Sequence, residues 1–114
     1  MSTVYIVTEP ITYKEGIQAP LFDVSPAREY GELKVLTEHS HSMSASVPMV
    51  RMIRDKMKDF CDADYILPVG DPVIIGTVCA IAADMNAGYF QMLKWDKRTR
   101  KYEVFKINVY GNRL

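Results

Sequence analysis

The chain has few of the residues on which covalently cross-linked or metal-bound proteins depend. It contains two cysteines, two histidines and one tryptophan among 114 residues. Cys61 and Cys79 form no C-x-x-C pair, so the sequence predicts neither a zinc ribbon, a redox motif nor a disulfide scaffold. His39 and His41 could meet one metal ion from an extended segment, but a zinc site needs three or four ligands. We expect no metal site and two reduced thiols, with Cys79 buried and Cys61 half-buried.

An excess of one charge sign and long apolar runs are lacking too. Fourteen basic residues balance fourteen acidic ones, which argues against a polyanion-binding surface over the whole chain. No apolar run approaches the ~20 residues that cross a bilayer. The first residues also lack the basic region and cleavage site of a signal peptide. We therefore expect a cytoplasmic protein that makes no contact with a membrane.

The motifs of the common catalytic and nucleotide-binding sites are missing. There is no G-x-x-x-x-G-K-[ST] loop, no G-x-G-x-x-G turn and no G-x-S-x-G elbow. A Ser/His/Asp set could be assembled from Ser42, His41 and Asp71, but residues this common prove little. The sequence therefore predicts no catalytic residue and no cofactor, and it favours a protein that is not an enzyme.

The residues that are present predict one α/β domain over residues 1–114. The chain is 48% hydrophobic and 25% charged, which is typical of soluble globular proteins. β-branched and aromatic segments predict strands at residues 4–8, 32–37, 65–67, 89–96 and 101–110. Apolar periodicity and capping residues predict helices at 48–61 and 72–87, with one helical turn after Ser25. We expect a mixed sheet of about five strands, two main helices and a C-terminal antiparallel hairpin.

Several segments carry more specific expectations. Residues 11–30 show little regular pattern. The first long helix has an apolar face formed by Met49, Ile53, Met57 and Phe60. The second has no charge from residue 72 to residue 83, which predicts a helix buried on nearly every side, with Gly76 and Ala80 against a neighbouring backbone. In the last strand Phe105, Ile107 and Val109 alternate with polar residues, which predicts one buried face.

Two loops form the first candidate site. Residues 39–46 and 68–71 leave the ends of parallel strands and lead into helix N-termini, where ligands and anions tend to bind. A small anionic ligand would contact His39, His41, Ser42, Ser44, Ser46, Gly70 and Asp71. The alternative is that Ser46 and Asp71 only cap their helices and that the other residues form a solvated loop.

The C-terminal hairpin is the second candidate site. Residues 94–114 carry seven basic and two acidic side chains, a net charge of +5, which the rest of the chain balances. Basic residues interleaved with aromatic ones are typical of surfaces that contact nucleic acid or an acidic protein. The candidate contact residues are Lys94, Trp95, Lys97, Arg98, Arg100, Lys101 and Tyr102. The alternative is a solvated tip whose charges protect the sheet edge, with Trp95 and Tyr102 packed across the strands.

Parts of the sequence resemble a known family. The stretch from Asp64 to Pro72, followed by Ala80–Asp84 and by Leu93–Asp96 with Tyr102 downstream, is similar to small uncharacterised bacteriophage proteins. That resemblance implies a phage product made in the bacterial cytoplasm, and it assigns no role to any residue.

The favoured function is that of a non-enzymatic phage accessory protein that binds a host or phage macromolecule, with a protein as the preferred partner. One alternative is a nucleic-acid-binding module that uses the basic hairpin. Another is a binder of a small anionic ligand, or an enzyme, at the loops 39–46 and 68–71. A homodimer formed through an edge strand is a further expectation.

Overall fold

The protein is described by a computed structural model that covers residues 2–20, 23–38 and 46–112. The strands of these ranges are β1 (Thr3–Thr8), β2 (Ile11–Lys14), β3 (Ile17–Pro20), β4 (Glu32–Thr37), β5 (Tyr65–Leu67), β6 (Tyr89–Asp96) and β7 (Lys101–Asn108). The helices are α1 (Ser46–Lys56), α2 (Pro72–Met85) and a short 3-10 helix (Ser25–Glu29). None of these helices is long and apolar enough to cross a bilayer.

Five strands form the main sheet in the order β4-β1-β5-β6-β7. Neighbours from β4 to β6 are parallel, and β7 is antiparallel to β6. The predicted mixed sheet with two helices and a C-terminal antiparallel hairpin is therefore confirmed. The chain passes from β1 to β4 on one side, then crosses to β5 on the other side of β1. Right-handed crossovers in opposite directions place their connections on opposite faces of a sheet, in keeping with separate cores under the 3-10 helix and under α1 and α2.

The core has a larger and a smaller part. On the helical face, Tyr5, Val7 and Ile66 of the sheet pack against α1 and α2. All four residues of the predicted apolar face are buried, although α1 ends at Lys56 and Met57 and Phe60 follow it in turns. On the other face, Val4, Ile6, Ala27, Leu67, Leu93 and Tyr102 form a smaller core beneath the 3-10 helix. Both parts of the core include residues of β1 and β5, the central strands of the parallel part of the sheet. This packing on both faces holds the ends of these strands in position.

A second, separate sheet is formed by β2 and β3. The expectation of little regular structure was wrong for residues 11–20, since Lys14 pairs with Ile17 around a two-residue loop. Both loop residues have positive φ, 53° at Glu15 and 77° at Gly16, which is the backbone of a type I′ hairpin turn. Gly16 is a signal for such a turn, but Glu15 is an unusual residue at the first position.

The surroundings of α2 differ from the expectation of a helix buried on nearly every side. Only one face is buried, by Ile74, Val78, Ile81 and Ala82. Val73 is 72% exposed, and a Cβ added at Gly76 would meet nothing within 4 Å. The predicted close packing at Gly76 and Ala80 is therefore wrong. The helix packs on one face of the sheet, and its other side is exposed. A helix without charged residues is therefore buried all round only if a second element packs against its outer side.

The outer strand and the cysteines are also more exposed than expected. Phe105 is 44% exposed and Val109 is exposed too, because β7 is the edge strand of the sheet. Its predicted buried face is therefore wrong except around Ile107, which packs against the larger core. Cys61 is exposed and Cys79 is half-buried, and burial raises the pKa of the Cys79 thiol.

Candidate functional site

The ends of β1, β4 and β5 meet where the strand order changes direction, the place at which open α/β sheets often bind ligands. In this protein the space is filled by the chain itself. The Oγ1 atoms of Thr8 and Thr37 are 2.9 Å apart, and the Thr37 hydroxyl donates to the Val7 carbonyl at 2.7 Å. Since Thr37 has one hydroxyl proton, Thr8 is the donor between the two threonines. A Cβ at Gly70 would overlap the Thr8 side chain, so the backbone of Gly70 closes this end of the sheet.

Asp71 occupies the N-terminus of α2. Its carboxylate accepts a hydrogen bond from the Val73 N–H at 2.7 Å, and Pro72 follows as the first helical residue. The predicted capping role of Asp71 is confirmed. The same geometry weakens the case for an anionic ligand, because a carboxylate already sits where the helix dipole favours negative charge.

The remaining residues of the first candidate site give it little support. Ser46 is exposed at the start of α1. His39, His41, Ser42 and Ser44 lie outside the described residues, so the prediction that they line a pocket stays a prediction. Within the three described ranges, no three His, Cys, Asp or Glu side chains are grouped as a metal site would need.

The basic hairpin is a regular two-stranded ribbon with a structured tip. Its strands pair from Tyr89 and Asn108 to Asp96 and Lys101. The Asp96 carboxylate accepts from the Arg98 N–H at 2.9 Å, and the Asp96 carbonyl oxygen accepts from the Arg100 N–H at 2.8 Å. Hydrogen bonding, first of all from the Arg98 backbone, lowers the pKa of Asp96. Asp96 thus holds the tip together and leaves the basic side chains on its outside.

The five basic residues predicted as contacts are all exposed. The Arg98 side chain is 91% exposed and its Nε lies 3.7 Å from Asp96. Lys94 lies directly across from Glu103, and its Nζ is 5.6 Å from the centre of the Phe105 ring. The positive charge of the hairpin is therefore only partly compensated by its own acidic residues.

Trp95 and Tyr102 pack against each other across the strands, as the alternative to partner binding predicted. Their ring centres are 4.9 Å apart in an edge-to-face arrangement. Tyr102 is buried, and its carbonyl oxygen accepts from the Tyr30 hydroxyl at 2.8 Å. Burial also raises the pKa of the Tyr102 hydroxyl. Trp95 remains 39% exposed. Tyr102 therefore packs against the indole from the interior, and the rest of the indole is accessible at the surface.

An apolar groove lies beside this pair, where β5 ends earlier than β6. The last pair between these strands is Ile66 with Met92, whereas β6 continues to Asp96. The groove has a volume of about 500 Å³ and one charged lining residue, Lys94. Its other lining residues are Leu67, Pro68, Val69, Met92, Leu93, Trp95, Tyr102, Phe105 and Ile107. We call this the β6-edge groove.

Two further concavities at the hairpin tip share Trp95 with the groove. One is lined by Asp23, Pro26, Trp95, Lys97 and Arg100. The other is lined by Lys94, Trp95, Asp96, Lys97, Arg98 and Glu103. Trp95 lines all three surfaces, so an exposed indole lies between an apolar groove and a cationic rim. The composition of the hairpin pointed to the rim, but the residues Leu67, Pro68 and Val69 were missed because strand order cannot be deduced from the sequence.

The family described as phage Pam3 gp32-like protein matches residues 2–109. No curated protein and no solved structure matched the chain.

Proposed function

The chain belongs to the phage Pam3 gp32-like protein family, and from that premise we propose that it is a non-enzymatic accessory protein that binds a protein partner through the β6-edge groove and the basic hairpin tip. The proposed location is the cytoplasm of the infected bacterium. The observation that carries the proposal is the position of Trp95, exposed between the apolar groove and the cationic rim.

The composition of this surface is that of a protein contact. Exposed aromatic residues and arginines, placed next to apolar pockets, supply much of the binding energy in protein interfaces. Here Trp95 and Val104 are exposed large apolar residues on one face of the hairpin, and Phe105 is exposed on the other face. The hairpin is ordered by its own contacts, because Asp96 accepts a hydrogen bond within the tip and Tyr102 packs against the indole. A preorganised surface loses little conformational entropy on binding.

Nucleic acid is the second candidate partner, and the observation that favours it is Trp95 beside Lys97 and Arg100. Single-stranded nucleic acid binds where several aromatic rings stack on successive bases. In this hairpin Tyr102 is buried and Phe105 lies on the opposite sheet face from Trp95, since neighbouring strand residues alternate. The hairpin therefore lacks a continuous stacking platform, which makes a protein the better-supported partner.

The test is a tagged pull-down from a bacterial lysate, with and without nuclease, analysed by mass spectrometry. Three baits are compared: the wild type, Lys97→Glu with Arg100→Glu, and a matched control with Arg51→Glu and Lys58→Glu. All four residues are exposed, and the control pair lies on α1 and in the turn after it.

We expect a protein that survives nuclease treatment, is retained by the control and is lost from the hairpin variant. Partners that disappear on nuclease treatment would shift the assignment to nucleic acid. A capture profile identical for all three baits would overturn the proposal.

A further inference from the structure

We infer that the partner contributes a short extended segment, apolar and acidic in composition, that adds as a strand to the free edge of β6. This inference rests on the proposed function and specifies how the β6-edge groove is used. It depends on three features: an unpaired backbone edge, apolar walls and a cationic rim.

The unpaired edge results from the unequal lengths of β5 and β6. The strand β5 has three residues and β6 has eight. The register places Leu67, the last residue of β5, opposite Leu93, so the segment Lys94–Asp96 has β7 on one edge and no described strand on the other. At about 3.3 Å per residue, this edge is about 10 Å long, which suits a short segment rather than a whole sheet.

The direction of the backbone groups follows from the hairpin tip. The Asp96 carbonyl oxygen accepts from the Arg100 N–H, so the backbone of Asp96 points toward the β7 side. Consecutive residues of a strand direct their N–H and C=O groups to opposite edges. Trp95 therefore directs its backbone groups into the β6-edge groove, and main-chain hydrogen bonds of this kind provide the affinity in strand addition.

The walls of the groove account for the apolar part of the segment. Leu67 and Val69 lie at the end of β5, and Leu93 and Phe105 belong to the hairpin. Strand residues alternate between faces, and the lining includes both Leu93 and Lys94. The groove therefore runs along the edge of β6 and is lined by residues from both faces of the sheet. The apolar side chains of an added strand could contact groove residues on either face.

The rim accounts for the acidic part of the segment. Lys94 lines the groove, while Lys97 and Arg100 line the adjoining concavity with Trp95. The carboxylate of Asp96 is engaged by the backbone of its own tip. Asp23 and Glu103 also line these concavities, so four basic side chains, Lys94, Lys97, Arg98 and Arg100, face three acidic ones. The excess positive charge favours an acidic segment, and charge complementarity fixes register and partner choice.

The first experiment selects short random peptides from a display library on the immobilised full chain, with counter-selection on the Lys97→Glu, Arg100→Glu variant. We expect enriched sequences in which apolar residues alternate with Asp or Glu. Enrichment of basic sequences, of apolar residues at helical spacing, or of no sequence at all would overturn the inference.

The second experiment tests the backbone contact with the best selected peptide. Binding is followed by the fluorescence of Trp95, the one tryptophan of the chain. We expect an affinity loss of at least about tenfold when alternate peptide nitrogens are methylated in the phase that removes donors to β6. Methylation in the other phase is the matched control. Equal affinity for both methylated peptides would overturn strand addition.

Charge and groove variants complete the test. We expect Val69→Asp and the Lys97→Glu, Arg100→Glu pair each to weaken peptide binding by about tenfold or more, whereas Arg51→Glu with Lys58→Glu leaves it unchanged. Far-UV circular dichroism checks that each variant is folded. Oligothymidylate competing for the site more strongly than the peptide would overturn the inference in favour of nucleic acid. One combination of results separates this inference from the proposed function. If the hairpin variant loses its pull-down partner but N-methylation has no effect, strand addition is rejected and the proposed function is retained.

Discussion

The carboxyl end of the sheet differs between its two sides. At the end of β1, the hydroxyl of Thr8 bonds to that of Thr37 on the neighbouring strand β4, and Gly70, which follows β5, packs on Thr8. On the other side, β5 has only three residues, so the end of the longer strand β6 has no described neighbour there, and a groove remains. The change in strand order marks where ligands often bind in this type of sheet. In this chain that place is packed, and the open surface lies next to it, between the ends of β5 and β6.

The difference shows that strand length can decide where a sheet offers a surface. If β5 were as long as β6, the two strands would pair along their whole length and the edge of β6 that faces β5 would have no unpaired backbone groups. The same comparison separates two kinds of residue: those at the β1–β5 junction should govern stability, and those at the hairpin should govern binding. Three substitutions test this separation.

The largest effect is expected for Gly70→Ala. Gly70 has a φ of 122°, and an added Cβ would overlap the Thr8 side chain, so backbone strain and overpacking act together. We expect the free energy of unfolding to fall by about 3 kcal/mol, measured by chemical denaturation. The matched control is Gly76→Ala, which adds its methyl group in open space on α2 and should raise stability by about 1 kcal/mol. Equal effects at the two glycines would mean that the junction is not tightly packed.

A smaller effect is expected for Asp71→Ala. The substitution removes the acceptor of the Val73 N–H, and loss of an N-cap costs about 1 kcal/mol. Asp71→Asn keeps an acceptor and should retain most of the stability. Both variants should capture the same partners as the wild type in the pull-down. Loss of capture in Asp71→Asn without loss of folding would place the contact surface at the N-terminus of α2 instead.

The smallest effect is expected for Asp96→Asn and concerns pH. Hydrogen bonds lower the pKa of Asp96 below its usual value of 3.8. A lowered pKa in the folded state stabilises the protein above the unfolded pKa, and this contribution is lost as pH falls through the folded pKa. The wild type should therefore lose stability in acid by slightly more than Asp96→Asn does. Thermal unfolding of both proteins from neutral to acidic pH checks this, and parallel curves would show that the charge of Asp96 does not order the tip.

Local sequence signals were enough for most of the fold. Apolar spacing identified the buried face of α1, and Asp71 with Pro72 marked the start of α2. These predictions succeeded because they depend on residues close together in the chain. The hairpin of β2 and β3 was missed because Glu15 is an uncommon residue in its tight turn.

The candidate site was predictable only in part, for a related reason. The basic and aromatic residues of the hairpin are visible as composition, and the pairing of Trp95 with Tyr102 follows from the short loop between their strands. The apolar wall from Leu67 to Val69 comes from a segment more than twenty positions earlier in the chain. Nothing local indicates that these segments adjoin.

The sequence by itself determined the elements, their caps, the antiparallel hairpin and its positive charge, because each depends on local periodicity, turn chemistry or composition. The tertiary structure decided which strands are neighbours, which end of the sheet is filled and which helix face stays exposed. Those features depend on contacts between distant segments. The short length of β5 could be predicted from the sequence, but its consequence, an open edge on β6, required the strand order.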